Sequence, residues 1–96
     1  MELFIFARFH SREGREATVA AVLRKQTEGA REEQGCLAIQ AYRSVRDPRL
    51  FYIHSRWTDE AAFEVHAELL RTVRFVQRME ELIDHPFEAT RARLLE

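Results

Sequence analysis

The sequence predicts an α+β domain of the ferredoxin-like, split βαβ kind, with helices packed on one four-stranded antiparallel sheet. Three observations carry that expectation. Stretches of period-two alternation rich in Phe, Ile, Tyr and Trp are interleaved with stretches of three-to-four spacing. Polar and glycine-bearing turns stand between them, and the strand-like stretches are apolar on both faces. A length of 96 residues suits one domain, 1–96, with one modest core.

Glu2 to His10 reads as the first strand, with Leu3, Ile5, Ala7 and Phe9 on one face and Phe4, Phe6, Arg8 and His10 on the other. Ser11-Arg12-Glu13-Gly14 connects it to a long helix from Arg15 to about Glu33, whose stripe is Ala20, Leu23, Thr27 and Ala30. Gly35 suits the left-handed stop. A second strand follows from Cys36 to about Ser44, then an Arg46-Asp47-Pro48-Arg49 turn and a third strand from Leu50 to Trp57, together a hairpin. Thr58 is the expected N-cap of the next helix, whose stripe is Ala62, Phe63, His66 and Leu69 or Leu70. A further helical pattern, Val73, Val76, Met79 and Ile83 with Phe75 and Leu82 beside it, runs to His85 and stops at Pro86. Phe87 to Leu95 reads as the last strand, giving the order β-α-β-β-α-α-β.

Helices on one face of such a sheet leave the other open. That face would carry Phe4, Phe6, Leu50, Tyr52, Tyr42, Ala92 and Leu94, more than the few hundred Å² of apolar patch that a monomer usually exposes. At about 25 cal/mol per Å², the expectation is a homodimer through the sheet face, related by twofold symmetry. The plainer alternative is that tyrosines and long arginines shield this face alone.

Composition excludes several function classes. Fifteen basic and sixteen acidic residues, mixed along the chain, leave a net charge of −1. No basic field exists to attract nucleic acid. No apolar run approaches the roughly 20 residues of a membrane span, and no basic leader precedes the first strand. The single cysteine, Cys36, cannot form an internal disulfide, so a cytoplasmic, reducing setting is expected.

Only three glycines occur, none in a phosphate-binding pattern, and no CxxC, HExxH or nucleophile elbow is present. An enzyme built on this chain is therefore expected to need no cofactor: no metal, flavin or nucleotide of its own. His66, on the apolar stripe of the second helix, is the sharpest candidate, because an imidazole titrating near 6.5 serves as a general base. A structural histidine bonded to backbone is the competing reading. Trp57 could wall a pocket or simply fill the core, and Ser55 could hold a pocket contact or a local hydrogen bond. Cys36 reads as a small buried hydrophobe. His10, His54 and His85 suit solvated or interface roles, and Arg24, Lys25 and Glu28 a solvated face.

Glu33-Gln34-Gly35-Cys36-Leu37, Tyr42-Arg43-Ser44, Asp47-Pro48 and Phe51 fall in a spaced series with Arg56-Trp57-Thr58-Asp59-Glu60-Ala61-Ala62-Phe63 and His66. With the closing Ile83 to Thr90 stretch, this series resembles the antibiotic biosynthesis monooxygenase family over nearly the whole chain. The resemblance implies a dimeric α+β barrel with an apolar pocket between sheet and helices in each subunit. It also implies oxygenation of a quinol or polycyclic phenol by O2, with a small aromatic substrate and no cofactor. Carried over by position, His66 becomes the catalytic residue, and Trp57, Ser55, Phe63, Leu69, Phe75 and Arg71 become substrate-binding residues. Ser55 stands where many members have Glu, Leu70-Arg71 where many have Pro-His, and Gln34 where Pro is usual. Those departures favour the alternative of a non-catalytic small-molecule-binding or stress-response dimer on the same fold; a purely structural or protein-interaction module is a third reading. The haem-degrading branch is disfavoured, since Ala7 and Arg8 replace its first-strand Asn and His66 stands where it carries Trp.

Overall fold

Alternation in the first strand becomes two different surfaces in the computed structural model, which describes residues 1–96. Strand β1 (Leu3–His10) buries Leu3, Ile5, Ala7 and Phe9 and turns Phe4, Phe6, Arg8 and His10 to the other side. It lies inside a sheet of order β2-β3-β1-β4, with β2 (Cys36–Arg43), β3 (Leu50–Trp57) and β4 (Glu88–Ala92). All pairings are antiparallel; Leu3 stands opposite Trp57, His10 opposite Leu50 and Phe4 opposite Ala92. The predicted split βαβ order is thus realised. The β2–β3 turn is held as expected, with the Arg49 N–H donating to Asp47 Oδ1 at 2.9 Å and the Asp47 N–H to Ser44 Oγ at 3.1 Å.

Three helices, α1 (Glu16–Ala30), α2 (Glu60–Glu68) and α3 (Leu70–Leu82), cover the buried face. Val19, Leu23, Ala30, Met79 and Leu82 pack on Phe9, Ile39, Phe51 and Ile53 in the main core. A smaller cluster, Leu3, Ile5 and Trp57 with Ala62 and Phe63 against it, forms at the α2 end. The core is therefore divided, and the division makes room for a cavity.

Several expected boundaries move, each for a physical reason. Asp59 is the N-cap of α2 instead of Thr58: its carboxylate accepts the Ala62 N–H at 2.8 Å. Helix α1 stops at Ala30, before Glu33, so Glu33 sits in the following turn. Helix α3 ends at Leu82 and not at His85, because Ile83 is extended and bridges Ser11. The Asp84 N–H then donates to the His10 carbonyl at 3.0 Å. The last strand is shorter than Phe87–Leu95, and Leu94 lies beyond it, exposed. Between α2 and α3, Leu69 is extended (φ −61°, ψ 139°). That break resets the helical phase, so Thr72, Met79 and Leu82 are buried while Val73 faces outward.

The open sheet face exposes Phe6 (52%), Tyr42 (49%) and Tyr52 (37%). No helix is long and apolar enough to cross a membrane.

Candidate functional site

A cavity of about 210 Å³ lies between the sheet and the helices. Its floor is the sheet face at Ile5, Ala7, Phe9, Ile53 and Ser55, and α2 and α3 roof it through Phe63, His66, Phe75 and Val76. Phe87 closes it on the β4 side, its ring 5.1 Å from that of Phe9. A mostly apolar lining with a few polar groups is what small-molecule sites have, though this one lies below the roughly 300–1,000 Å³ of drug-sized pockets.

The polar groups are His66, Ser55, Thr72 and Gln26. His66 Nδ1 lies 2.7 Å from Glu33 Oε1. A carboxylate can only accept, so Nδ1 carries the proton in that bond, and Nε2 bonds no protein group. Both partners are largely withdrawn from water, with side chains 9% and 12% exposed. The other Glu33 oxygen, Oε2, is bound by the Arg71 guanidinium. Gly29 makes that reach feasible: a Cβ there would stand 3.1 Å from Arg71 Nη1 and 3.2 Å from Cζ.

Two short turns place this dyad. The Glu33 N–H donates to the Ala30 carbonyl and the Cys36 N–H to the Glu33 carbonyl, folding Glu33 back from the end of α1. Gly35 then turns at φ +88° against α2, where an added Cβ would meet Ala62 Cβ at 2.6 Å. On the far side, Arg91 binds Glu60 at 2.9 Å and Glu64 at 2.5 Å and lies 5.0 Å over the Phe63 ring. These contacts tie α2 to β4 and fix His66 above the floor.

Trp57 stands behind the site and not on its wall. It is fully buried, its ring 4.7 Å from His66, and its Nε1–H donates to Ser55 Oγ at 3.0 Å. The indole proton is thus spent inside the protein. Ser55 Oγ accepts it, which leaves the Ser55 hydroxyl proton as a donor for a ligand. Thr72 Oγ1 is buried with no hydrogen-bond partner, a rarity that a ligand group could satisfy.

The structure thus brings four of the sequence candidates together around the cavity: His66, Ser55, Phe63 and Phe75. Trp57 is set behind Ser55, Leu69 occupies the α2–α3 joint away from the lining, and Arg71 lines a neighbouring groove while clamping Glu33. Glu33, Gln26, Thr72 and Phe87 had no assigned role. For Glu33 the available signal was its place at the head of the Glu33-Gln34-Gly35-Cys36-Leu37 stretch; for Thr72 the phase reset at Leu69 hid it. Cys36 is no competing nucleophile, because burial, with Glu33 nearby, raises its thiol pKa.

A second histidine cluster sits at the opposite end of β1. His10 Nδ1 is 2.6 Å from Asp84 Oδ2 and His10 Nε2 is 3.1 Å from Asp47 Oδ2. Arg49 Nη2 binds Asp84 at 3.2 Å, and His85 Nδ1 lies 2.5 Å from its other oxygen. His10, Asp84 and His85 bring ligand-type atoms within 4.8 Å of one another, but the Arg49 guanidinium already supplies the cation there. The hydrogen bond to Asp84 leads in raising the His10 pKa against its burial, with Asp47 adding to it. Asp84 is lowered chiefly by His10, and Asp47 chiefly by the Arg49 N–H.

Comparison with known proteins agrees with this fold. The sequence model described as "Antibiotic biosynthesis monooxygenase" matches residues 3–82. Among solved structures, Rv0793 from Mycobacterium tuberculosis is similar with a TM-score of 0.93 at 21% identity, covering 100% of this chain and 97% of that one. PA3566 from Pseudomonas aeruginosa gives 0.90 at 26% identity, with coverages of 99% and 95%. A structure described as an antibiotic biosynthesis monooxygenase gives 0.91 at 21% identity, with coverages of 98% and 99%. No curated protein sequence matches.

Proposed function

The chain belongs to the antibiotic biosynthesis monooxygenase family, and on that footing we propose that it is a cofactor-independent monooxygenase of small aromatic quinols or phenols, working as a homodimer. The observation that carries this reading is the Glu33–His66 pair, whose imidazole lines an apolar cavity with Ser55 while its Nε2 bonds no protein group.

The chemistry follows from what O2 needs. Triplet oxygen accepts electrons one at a time, and a phenolate or quinol anion is rich enough to supply the first. His66 Nε2 takes the phenolic proton, and Glu33 stabilises the imidazolium that results. Ser55 O–H donates to the ring oxygen as charge develops on it. The substrate radical and superoxide then combine to a peroxide on carbon. Loss of water from a C–H-bearing peroxide leaves one oxygen atom on the substrate as a carbonyl; the substrate supplies four electrons in all, and the second oxygen atom leaves as water. Phe63 and Phe75 keep the cavity dry, so that the anion is not quenched by solvent. Trp57 and Arg71 are positioning residues here, the first through Ser55 and the second through Glu33, while Leu69 sets the α2–α3 joint.

Dimerisation would cover Phe6, Tyr42 and Tyr52 by pairing the open sheet faces, on the side away from the cavity. Sedimentation at micromolar concentration should give twice the chain mass; a monomer would remove the dimer from the proposal. Activity is tested by oxygen uptake with a panel of quinols and naphthols. Uptake above autoxidation that collapses in His66→Ala supports the enzyme. Binding without uptake, unchanged in that variant, would favour the non-catalytic binding dimer instead.

A further inference from the structure

Beside the cavity, a groove of about 490 Å³ runs between α1 and α3. Four cations line it, Lys25 from α1 and Arg71, Arg74 and Arg78 from α3, and no carboxylate does. In a chain whose net charge is −1, this is a local concentration of positive charge. Arg71 is engaged by Glu33 and Arg78 by Glu81. Lys25 and Arg74 have no ion-pair partner within the chain, so two charges are available.

The groove and the cavity share a wall. Gln26 and Phe75 line both. Gln26 is 5% exposed; its side-chain amide bonds no protein group and is not among the polar atoms sealed from solvent, which are Glu16 Oε1 and Thr72 Oγ1, so it opens to the space around it. An unpartnered amide at the boundary between an apolar chamber and a basic trough is placed to meet a ligand that spans the two. We infer that this groove binds an anionic group, such as a carboxylate, carried by the aromatic ligand whose ring system fills the cavity. The inference rests on the proposed function for the ring system and adds the substrate class: aromatic, small and negatively charged. Gln26 serves as a specificity residue, donating to the ligand where it passes from cavity to groove. Because the cations are partly solvated, the attraction is screened by salt.

Calorimetric titration under nitrogen, where no turnover occurs, tests this with two probes of matched ring system, 1-naphthol and 1-hydroxy-2-naphthoate. The carboxylate is expected to bind roughly tenfold more tightly at low ionic strength, as two exposed charge pairs allow. That preference should vanish at about 0.5 M KCl, where the screening length is a few ångströms. It should also vanish in Lys25→Gln/Arg74→Gln, with 1-naphthol binding unchanged as the control that fold and cavity are intact. Equal affinity of both probes for the unmodified protein, at every salt concentration, overturns the anion site while leaving the proposed function standing. Failure of both probes to bind overturns the cavity reading and this inference with it. The salt series needs no variant, so a misfolded double substitution cannot leave the question open.

Discussion

Two histidine–carboxylate sites lie at opposite ends of β1, and they differ in what their second ring nitrogen does. His10 has both nitrogens held, by Asp84 and Asp47, in a network that includes Arg49 and His85. It closes a three-way junction between the β1 end, the β2–β3 turn and the segment after α3. His66 has one nitrogen on Glu33 and the other free beside an apolar cavity. The first arrangement engages both ring nitrogens in a structural tie, while the second leaves Nε2 without a protein partner. Proximity of a histidine to a carboxylate is therefore no sign of catalysis by itself; the proposed role of His66 rests on its place in the cavity lining.

The sharpest way to break this contrast is to remove each imidazole in turn. His66→Ala should lower kcat for oxygen uptake by about 10²-fold or more, the usual range for a general base, while His10→Ala should leave it unchanged. Equal losses in the two variants would refute the distinction. Gly35→Ala comes next: it forces a side chain into φ +88° and against Ala62. It should cost about 2 kcal/mol in urea unfolding, with reduced turnover because Glu33 and α2 move apart. Glu33→Gln keeps the shape and removes the charge, and should lower kcat roughly tenfold with KM held. A rise in KM alone would assign Glu33 to binding.

The smallest effect belongs to the His10 cluster and is one of pH. Because its folded-state pKa is raised, the stability His10 contributes is full below about pH 6.5 and fades as pH rises through that raised value. Asp84 and Asp47 are lowered, so their contribution is full above about pH 4 and fades as pH falls through their folded values. The cluster should stabilise most between those limits. Denaturant midpoints of the parent and Asp84→Asn, followed against pH, should differ most inside that window and converge outside it. A difference independent of pH would mean that Asp84 acts by packing alone.

Much of the fold was legible because it depends on local alternation. The face assignment of β1 and the bounds of β3 follow from period-two patterning, and Gly35 marks a left-handed turn that only the missing Cβ permits. Of the last helical stripe, Met79, Ile83 and Leu82 are buried and Phe75 and Val76 line the cavity, while Val73 faces outward and Thr72 takes the inner place, since Leu69 gives no composition signal for the break it makes. His66 stood out as a polar residue on an apolar stripe. Its partner did not, because Glu33 lies 33 residues away in sequence and meets it only across the α1–β2 turn. Trp57 read from the sequence as either a pocket wall or core; it is fully buried, and its indole proton is used up two residues away on Ser55.

By itself the sequence determined the order of the elements, the two apolar faces of the sheet and the absence of phosphate-binding or metal-binding motifs, since each of these is written in near-neighbour spacing. Only the tertiary structure decided which carboxylate each imidazole meets, that the core divides around a cavity, and that two helices bring four cations to its edge. Those outcomes depend on side chains distant in the chain meeting at angstrom precision, and no local pattern encodes such meetings.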